Sequence, residues 1–285
     1  MSELDYQAVV FAGGGNRCVW QAGFWEVVAP ALPLKPRVVA GVSAGAYIAA
    51  LLLAGRSQLA MDWACREMGN NRHNFYPDRL LRGQRPFPHF EIYGRALTEL
   101  LDQTALETLR QGPELRVLLA RPPAWCGPNF ALLVGFVTYA LEKHLKGPLH
   151  PQWPSQAGFR PEVVRAQDCR QASELKDLII ATSCTPPILP VMHRQGHPVL
   201  DGGLVDNVPL AALEPGERPA LILLSRRYDP ALLRGHRGLT YLQPSRPVDS
   251  GKWDYTNPEA LQRTKALGWE DGRLFLQNGP EILQR

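Results

Sequence analysis

Twice within its first 53 residues the chain runs from a short apolar stretch through a glycine-bounded turn into a helix-like apolar pattern. Residues 8–12 are continuously apolar and close on Gly13-Gly14-Gly15, after which residues 19–32 resume a helical pattern that Pro33 ends. Val38-Val39-Ala40 then leads into Gly41-Val42-Ser43-Ala44-Gly45, and residues 46–53 are rich in Ala and Leu. Two consecutive strand–turn–helix units predict an α/β fold, with a parallel sheet covered on both faces.

Further elements follow the same reading. Residues 115–120 (LRVLLA) predict a strand, broken off by Pro122-Pro123 and Gly127-Pro128 before an apolar segment at 130–145 and a loop rich in Pro, Gly and Trp at 147–161. Ser173 is the expected N-cap of a helix that carries Leu175, Leu178 and Ile179 on one face and stops at Pro186-Pro187. Residues 198–200 approach the turn Asp201-Gly202-Gly203, and residues 220–224 (ALILL) predict another buried strand. The excursion at 69–93, rich in Asn, Arg, His, Pro and aromatics, is expected to cover the sheet edge rather than to line a pocket. With no repeat and no linker, residues 1–285 are expected to form a single domain.

Composition removes several classes of function. The five cysteines, Cys18, Cys65, Cys126, Cys169 and Cys184, are scattered without a Cys-x-x-Cys pair, so neither a disulfide framework nor a zinc site is expected. The first residues carry acids where a secretory leader needs positive charge, which predicts an unprocessed chain in a reducing, cytosolic setting. The apolar run at 130–141 is about half of the roughly 20 residues a membrane-spanning helix needs, so it can lie in an interface but not cross a bilayer. Of the 31 basic residues 25 are arginine, which fits either phosphate contacts or a plain compositional bias. Nucleic acid is not an expected partner.

Chemistry concentrates at three places. A serine between glycines at a strand-to-helix turn is forced into a tight elbow that exposes its hydroxyl, and the helix starting near Ala44 directs amides and a positive dipole end toward it. Ser43 is therefore the candidate nucleophile of a hydrolytic enzyme, with Gly41 and Gly45 forming the elbow. A serine needs a base, and among the histidines (His73, His89, His144, His150, His193, His197 and His236) only His236 lies late enough for the order Ser…Asp…His. It sits in the polar run Leu-Arg-Gly-His-Arg-Gly, so Asp201, a carboxylate followed by two glycines, is the better base; an ordinary hairpin turn is the alternative for that segment. Gly13-Gly14-Gly15-Asn16-Arg17 can present backbone amides to an oxyanion. No Gly-Lys-Ser/Thr follows it, and no acidic residue stands between Glu26 and Asp62, which excludes a P-loop and a dinucleotide fingerprint.

In this order the three elements resemble the patatin-like phospholipase family, and the context 181–190, Asp201-Gly202-Gly203 and Asn207-Val208-Pro209 is similar to that family's third block. The resemblance covers residues 7–215 and, weakly, the tail around 255–272. It implies a patatin-like three-layer α/β/α fold with a mostly parallel central sheet. It also implies a Ser-Asp dyad of Ser43 and Asp201, an oxyanion hole at Gly13, Gly14 and Gly15 beside Arg17, and an aspartate turn held by Gly202 and Gly203. The implied activity is a metal-free, cofactor-free phospholipase A-type hydrolysis of acyl esters, with phospholipid or another lipid ester as substrate. A peripheral membrane surface follows as a partner, with residues 122–161 as a lid or interfacial anchor and 226–285 as a C-terminal extension. One departure is Cys18, where the family usually has glycine; it is expected to sit harmlessly in the first helical turn. The alternatives are a carboxylesterase relying on His236 and a catalytically weak lipid-binding or partner-binding module.

Overall fold

The computed structural model describes residues 6–32, 34–123, 149–150 and 153–285. Its centre is an eight-stranded sheet in the order β5-β6-β3-β2-β1-β7-β8, with β4 also paired to β3. The strands are β1 (Ala8–Phe11), β2 (Val38–Val42), β3 (Glu114–Arg121), β4 (Arg160–Arg165), β5 (Met192–Arg194), β6 (His197–Asp201), β7 (Ala220–Leu223) and β8 (Leu239–Leu242). From β3 through β8 every neighbouring pair on that path is parallel, whereas β4, β5 and β6 join antiparallel.

The central strands are buried on both faces, which is why they read as unbroken apolar runs rather than alternating ones. Their side chains nevertheless sort with a period of two. Val9, Phe11, Val39, Leu221 and Leu223 join the main core, while Ala8, Val10, Val38, Ala40 and Ile222 pack on the other side against Val208, Ala212, Leu233 and Tyr241.

The main core lies under α1 (Val19–Ala31), α2 (Ala44–Leu53), α3 (Ser57–Asn70), α4 (His89–Leu100), α5 (Gln103–Gln111), α6 (Ala172–Thr182) and α7 (Pro258–Asn278). The last of these ties the C-terminal region to the first helix: Trp20 Nε1 donates to Asp271 Oδ2 (2.7 Å), and the rings of Phe24 and Phe275 are 5.5 Å apart. Helix α6 begins two residues earlier than expected, with Gln171 rather than Ser173 at its N-cap and no side-chain cap. Among the described residues no helix is long and apolar enough to cross a membrane. The apolar segment 130–145 lies outside the described residues.

Candidate functional site

Strand β3 brings the two key residues together. Leu118 pairs with Val42 on one edge and Val163 on the other, and Leu119 pairs with Asp201 and Glu162. A strand has two edges, so β2 and β6 share the one opposite β4 and approach head to head. The residue that follows Val42 is Ser43, and it meets Asp201: Ser43 Oγ donates to Asp201 Oδ2 at 2.9 Å. Both are buried, at 5% and 8% exposure.

Ser43 has φ 53° and ψ −135°, a conformation that strains a residue with a Cβ and persists only where its surroundings impose it. Two constraints do so here. A Cβ on Gly45 would fall onto the carbonyls of Phe11, the last residue of β1, and of Ala12 after it, so α2 starts closer to the sheet than any other residue permits. The Ser43 amide donates to Thr182 Oγ1 (2.9 Å), and that hydroxyl donates to the Leu118 carbonyl (2.5 Å), which pins the elbow to α6 and β3.

Asp201 is held as firmly. Gly203 N donates to Oδ1 (2.8 Å) and Thr185 Oγ1 to Oδ2 (3.1 Å), while its own amide donates to the Cys184 carbonyl (2.9 Å). Gly202 lets the turn lie flat against β3, since a Cβ there would meet the Leu118 carbonyl. The segment is thus a one-turn 3-10 helix capped by Asp201, not a hairpin. Burial pushes the Asp201 carboxyl above the usual carboxylate range, against the nearby Lys252 charge and the three hydrogen bonds, and a raised value makes it a stronger base.

The glycine loop closes over this pair. The positive φ (62°) falls on Gly15, not on Cys18, whose backbone is ordinary right-handed helix. Cys18 is fully buried, its thiol contacts the Ala12 carbonyl at 3.3 Å, and burial pushes that thiol up to about 12. The substitution at the usual glycine position therefore leaves the loop geometry intact. Gly13 requires a correction as an oxyanion donor: its amide already donates to the Asn207 carbonyl (2.9 Å), and its carbonyl accepts from Asn207 Nδ2 (3.0 Å) and Ser225 Oγ (2.6 Å). Gly13 is a strut, which leaves Gly14 and Gly15 as the candidate donors. Arg17 Nε donates to the Gly14 carbonyl (3.1 Å) and so fixes that peptide's orientation.

Beside Ser43 lies a cavity with about 1090 Å³ of atom-free space, part of it open to solvent. Its lining is largely apolar, with Val19, Tyr47, Ile48, Leu51, Trp63 and Leu189 among the contributors. His89, Ile92 and Tyr93 also line it, so the end of the 69–93 excursion is pocket wall and not merely edge cover. A mostly apolar cleft with a few convergent polar groups is the usual form of a small-molecule site.

Sequence reasoning missed several contributors. Thr182 and Thr185 lie in the 181–190 stretch, read for where its helix stops and for its resemblance to a family block but with no role for either residue, and their hydroxyls matter through contacts far away in sequence. Lys252 came without any local motif; its carbonyl accepts from the Asn16 amide (3.2 Å), which places it over the glycine loop. His236 is exposed, with Nε2 at 2.9 Å from the Leu232 carbonyl and its ring 4.9 Å from that of Tyr241; the hydroxyl of Ser43 goes to Asp201 instead. Among the described residues no cluster of His, Cys, Asp and Glu is placed to hold a metal.

Fold and site define a class: a parallel α/β sheet with a serine elbow at the end of one strand, faced by a carboxylate that an antiparallel strand delivers. The family model described as Patatin-like phospholipase matches residues 9–214, and the chain belongs to that family. Membership supports lipid acyl hydrolysis as the general activity. No curated protein matches the chain. Among solved structures it is similar to VipD from Legionella pneumophila, with 12% identity over 96% of this chain and 67% of that one and a TM-score of 0.47. It is also similar to human GIVD cytosolic phospholipase A2, with 13% identity over 99% of this chain and 63% of that one and a TM-score of 0.42.

Proposed function

We propose that the protein is a phospholipase A-type serine hydrolase in which Ser43 and Asp201 form the catalytic dyad. The observation that carries this reading is the 2.9 Å hydrogen bond from a strained, buried serine to a buried carboxylate, at the wall of a largely apolar cavity. Asp201 takes the proton as Ser43 Oγ attacks the ester carbonyl, and the amides of Gly14 and Gly15 receive the oxyanion. Collapse of the tetrahedral intermediate breaks the ester C–O bond, and the leaving alkoxide takes from Asp201 the proton that came from Ser43. Water, deprotonated by the same carboxylate, then attacks the acyl-enzyme, and as the fatty acid leaves, Asp201 returns the proton to Ser43 Oγ. No metal or organic cofactor takes part.

The substrate is a phospholipid or related lipid ester presented at a membrane surface, with the chain acting from the cytosol as a peripheral protein. Residues 122–161 are the proposed lid or anchor, except that Arg160 and Pro161 at its end are already part of β4 in the sheet. Labelling with a fluorophosphonate tests the reading: the wild type is expected to react at Ser43 and Ser43→Ala not at all, with Asp201→Asn slowed by 10²-fold or more, in the range a positioned base contributes. Equal labelling of wild type and Ser43→Ala would overturn it.

A further inference from the structure

The cavity beside Ser43 follows α2. Its lining takes Ser43 at the N-cap and Tyr47, Ile48 and Leu51 from that helix, a rise of roughly 12 Å at about 1.5 Å per residue. The walls also take Ser57, Ala60, Met61 and Ala64 from α3 and Leu261 and Lys265 from α7. Ser57 opens α3 just after α2 ends, and its Oγ shares Glu26 with Lys265 Nζ, which places Lys265 toward the end of α2 away from Ser43.

Lys265 does not belong in such a lining on ordinary grounds. It is 3% exposed and lines a largely apolar cavity. Its ammonium is satisfied away from the apolar wall: Nζ is 3.0 Å from Glu26 Oε1 and 5.3 Å from the centre of the Trp269 ring. Glu26 is fixed in turn by Ser57 Oγ (2.5 Å) and Trp269 Nε1 (2.8 Å). Burial works to raise the Glu26 carboxyl, but these donors and Lys265 hold it below the usual range, so Glu26 is a carboxylate. The Glu26 side chain is 27% exposed, which makes the pair the layer between the cavity and solvent. A long amphipathic stem that offers methylenes to an apolar space while its head is tethered outside it is a rigid stopper, because breaking a buried ion pair is costly.

We infer that the cavity is an acyl pocket of fixed depth whose floor is Lys265, tethered by Glu26, and that this floor selects acyl chains by length. The inference rests on the lipid-hydrolase reading above and adds the specificity determinant to it. Each methylene buried before the floor strengthens binding about fourfold, and chains that reach the floor gain nothing further. Lys265→Ala removes the stem, roughly four chain atoms of depth, and Lys265→Met discharges the residue while keeping all but the last atom of that stem.

Binding is measurable without catalysis. Saturated fatty acids from octanoate to palmitate would be titrated against Ser43→Ala by displacement of a fluorescent fatty acid, and then against Ser43→Ala carrying each substitution. Hydrolysis of the matching p-nitrophenyl esters by the Ser43-containing proteins would run in parallel. Lys265→Ala is expected to move the break in affinity to longer chains, raising the palmitate-to-octanoate ratio tenfold or more, while Lys265→Met leaves the break in place. Ala64→Phe, which fills the lower cavity from a different helix, is expected to move it to shorter chains, and serves if Lys265→Ala does not fold. Profiles that stay parallel in all variants, or absence of fatty-acid binding, would overturn the floor. Length-dependent binding without any ester hydrolysis would instead overturn the catalytic reading and leave the floor standing.

Discussion

Thr182→Val isolates the support of the elbow from the reacting groups. Valine keeps the shape of threonine but lacks the hydroxyl, and Thr182 is fully buried. The change leaves the Ser43 amide without the acceptor it has at 2.9 Å, inside the protein and away from water. An orphaned buried donor costs about 1–3 kcal/mol, and the lost bond to the Leu118 carbonyl adds about 0.5–1.5 kcal/mol. A total of about 3 kcal/mol corresponds to a fall in Tm of roughly 6–12 °C for a protein of this size. The strain at Ser43 gives the substitution a second consequence. Its φ of 53° is imposed by its surroundings, so loosening one of them lets the elbow relax and carries Oγ away from Asp201. Urea denaturation would read the stability, and ester hydrolysis under conditions where the variant is folded would read the chemistry. We expect kcat to fall about tenfold or more with KM little changed, and Thr182→Ser to restore both. A Thr182→Val protein as stable and as active as wild type would refute the claim that this hydroxyl holds the elbow.

Two further outcomes concern acid–base behaviour. The proposed mechanism needs Asp201 ionised, and burial raises its pKa while Lys252 lowers it, so activity should fall on an acid limb lying above the ordinary aspartate value, and Lys252→Met should move that limb to higher pH; a limb that stays put, or moves to lower pH, contradicts the coupling. Because the folded state holds the Asp201 proton more tightly than the unfolded state, stability contributed by this group falls as pH rises from the unfolded toward the folded pKa. Asp201→Asn should therefore gain stability relative to wild type at neutral pH, with the gap closing in acid; urea midpoints that show the opposite trend would refute the burial argument.

How much of this was legible in the sequence differs by region. The first two strand–turn–helix units and β3 were readable because strands buried on both faces are continuous apolar runs bounded by glycine or proline. Helices α3 and α7 were not, since each is polar on average and declares itself only by what it packs against. Strand β4 carries exposed charged residues and β8 is four residues long, so neither has a periodic signature of its own. Ser43, Asp201 and the glycine loop stood out because special backbone geometry restricts which residues can be there. What remained hidden depends on distant pairs: the Thr182 hydroxyl under Ser43, Asn207 on both sides of Gly13, and the Glu26–Lys265 pair from α1 and α7. No spacing rule reports contacts between elements whose packing is not yet known. The glycine usual at the Cys18 position illustrates the reverse, because Gly15 carries the positive φ and an ordinary helical residue fits at 18.

Fatty-acid release from mixed phospholipid vesicles, compared among wild type, Ser43→Ala and Asp201→Asn, tests the central claim most directly. In the proposed dyad the two residues act as one unit, so each single substitution is expected to reduce release by 10²-fold or more, with both variants retaining wild-type far-UV circular dichroism. Release that is the same for all three proteins would contradict the account.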